Sequence, residues 1–151
     1  MSLDTCGWWD GVASLPGWYF IETNTPISLL KKIEPAHESS RSYNIPNRIE
    51  HNNWLMNTGA AILPYDKNDS YFIYAGEAVN IKSRAREHTH SNHQTASLSL
   101  SSYRELQDYE WVFYYLTCDE VMPGSNGDKA IRVCGEQFWR SIYGWPILCK
   151  E

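Results

Sequence analysis

The chain reads as a mixed α/β (α+β) protein, a small sheet flanked by helices, forming a single domain over residues 1–151. Two observations point there. Three short runs, Gly17-Trp18-Tyr19-Phe20-Ile21, Tyr71-Phe72-Ile73-Tyr74-Ala75 and Glu110-Trp111-Val112-Phe113-Tyr114-Tyr115-Leu116, have the aromatic and β-branched composition of half-buried strands. Stretches with helical spacing and recognisable start and stop residues lie between and after them. Strands interspersed with helices around one sheet give a mixed layer architecture, and no internal repeat suggests otherwise.

Hydrophobic residues make up 42% of 151, with 7 Trp and 10 Tyr, enough for a genuine core. No apolar run approaches the roughly 20 residues of a membrane helix. The start carries no charged n-region followed by an apolar h-region. Cys6, Cys118, Cys134 and Cys149 are widely spaced with no Cys-x-x-Cys pair, which argues against structural zinc. Together these features point to a cytoplasmic protein with free thiols. A net charge of −5 argues against a sequence-independent electrostatic binder of nucleic acid. It leaves room for a local basic groove around Lys82, Arg84 and Arg86.

Taken in order, Cys6 to Pro16 is a loop or short helix laying Trp8 and Trp9 on the body. After the strand at 17–21, Thr25-Pro26 opens a helix with apolar Ile27, Leu29, Leu30 and Ile33, and Pro35 stops it. Residues 36–53 are polar and aperiodic, and a loop that long in a compact domain is usually functional. Its Arg41, Tyr43, Arg48, His51, Asn52 and Asn53 suit phosphate and base contacts, although a solvated loop has the same composition. Gly59 to Leu63 reads as a strand forming a hairpin with the run at Tyr71.

That run ends at Gly76, and Asn80 caps a helix over Ile81 to His88. Arg84 and His88 are four residues apart and share one helix face. A solvated basic face would have this spacing; so would an arginine gripping a phosphate beside a proton-moving or metal-binding histidine. A Ser/Thr/His-rich loop and a short helix near Tyr103 to Gln107 lead to the run at 110–116, which reads as the central strand. Asp128 to Tyr143 is the longest helix, with a core stripe of Ile131, Cys134, Phe138 and Ile142, closed by Gly144 and Pro146. Glu136 lies off that stripe beside Arg132 and Arg140. It is either part of an i,i+4 ladder or a carboxylate held for a divalent metal.

Taken together, these residues resemble the GIY-YIG endonuclease family. Gly17-Trp18-Tyr19 is similar to the first signature tripeptide and Tyr74-Ala75-Gly76 to the second. Asn80 to His88 is similar to the family's Arg-bearing helix, and Glu136 ahead of Pro146 to its metal-binding glutamate. The resemblance implies a three-stranded, mainly antiparallel central sheet with residues 22–58 as an insertion that reads DNA. Cys149 stands where the family usually has Asn. The implied activity is metal-dependent, restriction-type hydrolysis of double-stranded DNA using Mg²⁺ or Mn²⁺. Catalytic roles would fall to Tyr19, Tyr74, Arg84, His88 and Glu136, with Glu136 binding the metal. Lys82, Arg86, Arg41, Arg48 and Asn52 would contact DNA. Palindromic cutting by one small site implies a homodimer by symmetry. The alternatives are a non-catalytic DNA-binding or interaction domain that keeps the fold, and an aromatic surface serving as a protein-interaction patch.

Overall fold

A computed structural model describes residues 1–34, 43–63, 69–90 and 96–150. Its centre is a three-stranded antiparallel sheet in the order β2-β1-β3, formed by β1 (Gly17–Thr23), β2 (Tyr71–Ala78) and β3 (Trp111–Thr117). Among the described residues five α-helices flank it: α1 (Ile27–Leu30), α2 (Ile45–Asn57), α3 (Ile81–Thr89), α4 (Cys118–Val121) and α5 (Lys129–Tyr143). The mixed α/β class and the three-stranded antiparallel sheet are therefore as the sequence suggests. No helix among the described residues is long and apolar enough to cross a membrane.

The register divides the side chains between two faces. Tyr19 lies opposite Gly76 and Tyr115, Ile21 opposite Tyr74 and Phe113, so these share the face that α3 covers. Trp18, Phe20, Phe72, Tyr114 and Leu116 point the other way, towards α5, where Trp139 packs on Phe20 and Phe72. A bulge in the β1–β2 ladder inserts one extra residue on β2 between the partners of Ile21 and Glu22. It lets Tyr71 and Tyr74, three residues apart, face the same side, a re-aiming of side chains that bulges commonly perform.

Several expectations need correction. Gly59–Leu63 is no strand and makes no hairpin with β2; Ile62 forms only an isolated parallel bridge with Trp145. The partner of β2 is β1. The place on β2's outer edge goes to the C-terminal segment, whose Leu148 N–H donates to the Ile73 carbonyl at 3.0 Å. The Cys149 thiol completes that edge, donating to the Ala75 carbonyl and accepting from the Ala75 N–H, both at 3.1 Å. The run at 110–116 is an edge strand, not the central one.

Of the expected loop at 36–53, residues 43–53 are described, and most belong to α2. Asn44 caps that helix by accepting from the Asn47 N–H, and Ile45 and Ile49 are fully buried. The helix expected after Pro26 is a single turn, α1. The largest reversal concerns α5. Phe138 and Ile142 of the expected core stripe are exposed at 69% and 56%, Cys134 is also exposed, and Ile131 is only partly covered. The helix instead packs its Arg132, Gly135, Glu136 and Arg140 side on the sheet. The physical reason lies at Gly135, where the Trp18 indole occupies the space a Cβ would fill and donates from Nε1 to the Arg132 carbonyl at 2.7 Å.

Candidate functional site

Four of the sequence-predicted residues come together on the α3 side of the sheet. β1 supplies Tyr19, β2 supplies Tyr74, and one face of α3 supplies Arg84 and His88. The Asn80 carboxamide fixes the start of α3 by accepting from the Ser83 N–H at 2.9 Å, which sets the rotation that aims Arg84 and His88 inward. The Tyr19 ring stacks between Phe113 and Tyr74, at centroid distances of 5.3 and 6.1 Å. Its hydroxyl lies over Gly76, where a Cβ would stand 2.5 Å from the oxygen. A glycine at this position lets the phenol approach the β2 backbone.

Hydrogen bonding fixes the histidine tautomer. The Leu98 N–H donates to His88 Nδ1 at 3.3 Å, so the proton of the neutral ring sits on Nε2. That proton points to the Tyr19 oxygen 2.9 Å away. Arg84 Nε also donates to this oxygen at 3.4 Å. Arg84 Nη2 lies 3.3 Å from His88 Nε2, and with both atoms carrying protons this is a close approach, not a third bond. The other arm of the guanidinium pairs with Glu87 at 2.5 Å.

The electrostatics follow. Burial, reinforced by the Arg84 charge, holds the His88 pKa well below the usual histidine value, so the ring is neutral. Burial raises the Tyr19 pKa, with Arg84 pulling against it. Burial, then the neighbouring Tyr19, pushes Tyr74 well above the usual value. The phenols are therefore protonated near neutral pH. Tyr19 and His88 are sealed inside, while the Arg84 side chain keeps 21% exposure. Arg84 is the charged group through which the cluster meets solvent.

Glu136 does not join this cluster. It sits on α5, across the sheet, where Arg140 Nη2 holds its carboxylate at 2.6 Å. Burial raises its pKa, Arg140 opposes the rise and Glu77 adds to it. Arg132, expected in the same ladder, pairs instead with Glu77 of β2 at 2.5 Å. Around Glu136 is an apolar groove of about 260 Å³ lined by Trp18, Phe20, Phe138 and Trp139 among others. A divalent ion does not fit this arrangement: the groove is apolar, the carboxylate is closed by Arg140, and Glu77 is committed to Arg132. Among the described residues no group of three His, Cys, Asp or Glu could hold a metal.

The residues expected to contact DNA are dispersed. Lys82 pairs with Asp10 at 3.1 Å, and Arg86 is exposed on α3. Arg48 is partly buried on α2. Asn52 is buried and donates to the carbonyls of Ile147 and Cys149 at 2.6 and 3.0 Å, so it ties α2 to the C-terminal segment and is not available to read bases. Arg41 lies outside the described residues.

Sequence reasoning missed Phe113, which forms the second wall of the Tyr19 slot, and Cys149, whose thiol closes the β2 edge behind it. Burial pushes that thiol up to about 11, so it stays protonated. The alternation of β3 held the signal for Phe113; nothing local in the sequence marked Cys149. Comparison with family models, curated proteins and solved structures gives no match to this chain.

Proposed function

We propose that the chain is a DNA endonuclease that hydrolyses phosphodiester bonds, with the Tyr19–Arg84–His88 cluster as its working centre. One observation carries the reading: a single phenol oxygen receives donors from both a guanidinium and a neutral imidazole, over a glycine that lets it sit against the sheet. Two donors on one oxygen favour its negative form and so work against the burial that keeps this phenol protonated; to take a proton from water, Tyr19 would have to be opened to solvent and ionised. Arg84, partly exposed, would grip a phosphate oxygen by exchanging its present partners, Glu87 on Nη1 and the Ala96 carbonyl on Nη2. His88 orients Tyr19, and Tyr74 packs against both rings, at 6.1 Å from Tyr19 and 4.7 Å from His88. The restriction-type activity, double-stranded DNA as substrate and the use of Mg²⁺ or Mn²⁺ belong to this proposal through the resemblance to GIY-YIG enzymes. No step is assigned to a metal, because the residues around Glu136 do not suit one in this arrangement.

A second reading, a DNA-binding or interaction domain without catalysis, is favoured by the position of Glu136 across the sheet and by its closure with Arg140. Plasmid nicking separates the two. The wild type is incubated with Mg²⁺, with Mn²⁺ and with EDTA, beside Arg84→Ala, Tyr19→Phe and Glu136→Ala. Cutting that is lost in Arg84→Ala and Tyr19→Phe is expected, and the EDTA lane together with Glu136→Ala decides whether it draws on a metal at Glu136. Binding without any cutting selects the second reading, and equal cutting by all four proteins removes the cluster from the chemistry.

A further inference from the structure

The strongest unexplained feature is on the α5 side of the sheet, away from the Tyr19 cluster. Helix α5, the most amphipathic among the described residues, turns its apolar stripe to solvent. Phe138 and Ile142 stand 69% and 56% exposed, and the same groove continues onto Leu116 of β3 and Val121 of α4, at 48% and 53%. Tyr114 extends the surface along β3 at 45% and Val112 at 39%. With an aromatic side chain offering about 150–250 Å² in full, these six expose on the order of 600 Å² of contiguous apolar surface. That is the upper end for a monomer's largest patch, and with the adjoining backbone it approaches the roughly 800 Å² per partner of a stable interface.

The edge of β3 belongs to the same surface. Among the described residues no strand pairs with it, whereas the outer edge of β2 is covered by Leu148 and Cys149. Edge strands are ordinarily protected by Lys, Pro or inward charge. Trp111 to Thr117 contains none of these.

We infer that this face joins two copies of the chain about a two-fold axis, with β3 pairing antiparallel to the partner's β3. The sequence of β3 is complementary to itself in that arrangement. Centring on Tyr114 sets Tyr114 against its own counterpart and Val112 against Leu116, with Phe113 against Tyr115 on the other face. These are aromatic and branched cross-strand pairs of the stabilising kind, and no like charges meet within the strand. A two-fold perpendicular to the sheet puts both α5 helices on the same side, so that Phe138 and Ile142 cover one another's groove. The result is a six-stranded sheet with an isologous, closed interface. This inference stands independently of the nuclease reading.

Sedimentation equilibrium on the full chain, from roughly 1 to 100 µM, tests it over the range that resolves a micromolar Kd. The expected mass is twice 17.5 kDa. Tyr114→Lys and Phe138→Lys are each expected to raise the dissociation constant at least about tenfold while far-UV circular dichroism stays native. Val79→Lys, at an equally exposed apolar residue beyond β2 (68%), is expected to leave the dimer intact. Phe138 projects outward, so its variant keeps the test valid if Tyr114→Lys fails to fold. A wild-type mass of one chain at every concentration overturns the inference, even if another protein binds the face. So does a dimer that both lysine variants leave unweakened.

Discussion

Replacing Gly76 with alanine tests the geometry of the Tyr19 slot directly. The added methyl would stand 2.5 Å from the Tyr19 oxygen and 2.8 Å from Cζ, where ordinary contact begins at 3.4 Å. Something must move by close to an ångström. The phenol cannot swing aside, because it is 1% exposed and stacked between Phe113 and Tyr74. Overpacking of this kind costs about 1–3 kcal/mol. Displacing the hydroxyl from His88 and Arg84 adds about 1 kcal/mol for a hydrogen bond lost in the interior. A total of about 2–4 kcal/mol corresponds, at about 2–4 °C per kcal/mol for a chain of this size, to a melting temperature lower by roughly 5–15 °C. Gly11→Ala is the matched control, since its Cβ would meet nothing within 4 Å, and it should change stability by less than about 0.5 kcal/mol. Differential scanning calorimetry on both variants gives the answer. If Gly76→Ala melts with the wild type, the phenol does not occupy the slot described, and the reasoning that builds the site around it fails.

Three further outcomes follow from the same packing. Gly135→Ala in α5 should destabilise by about 1–3 kcal/mol in urea unfolding, although alanine is ordinarily favoured over glycine within a helix, because its Cβ would fall on the Trp18 indole. His88 has a folded pKa below its unfolded value, so between the two the unfolded chain binds a proton that the folded chain does not. Stability should therefore fall as pH drops below about 6.5, by about 1.4 kcal/mol per pH unit from this group, and His88→Gln should flatten that slope in denaturant titrations. Asn52→Ala leaves the buried carbonyls of Ile147 and Cys149 without their donor and should cost about 2–4 kcal/mol, with hydrogen exchange at Leu148 accelerating first.

What the sequence revealed was local, and what it hid was pairing. Tyr71 to His88 was legible as strand, glycine and capped helix because each signal sits within a few residues: the aromatic run, Gly76, and Asn80 three residues before Ser83. The gathering of Tyr19 with Arg84 and His88 was legible only through the resemblance, since no local period connects residues so far apart. Gly59–Leu63 misled because nearness in sequence favours a hairpin, whereas the open edge of β2 goes to residues 148–149 from the far end of the chain. Helix α2 was hidden by Asn52, a polar residue at a buried position continuing the Ile45 and Ile49 spacing. In α5 the period was right and the face was wrong. Periodicity locates an apolar stripe but not the surface it meets, and here the fit of Trp18 over Gly135 chose the opposite side. β3 looked central because both of its faces are apolar, and only the topology shows that one of them faces outward.

The C-terminal tie along β2 also bears on the order in which the protein can be made. Ile147, Leu148 and Cys149 are each no more than 1% exposed, and they bridge Asn52 of α2 to Ile73 and Ala75 of β2. During vectorial synthesis, β1, α2 and β2 leave the ribosome well before these residues do. Until then the outer edge of β2 lacks Leu148 and Cys149 and α2 lacks its anchor, so the nascent chain holds an incomplete core that residues 147–149 close when they emerge. A stalled or truncated product ending before Ile147 would present that edge to chaperones or proteases. Synthesis through Cys149 therefore acts as a check on whether the domain persists.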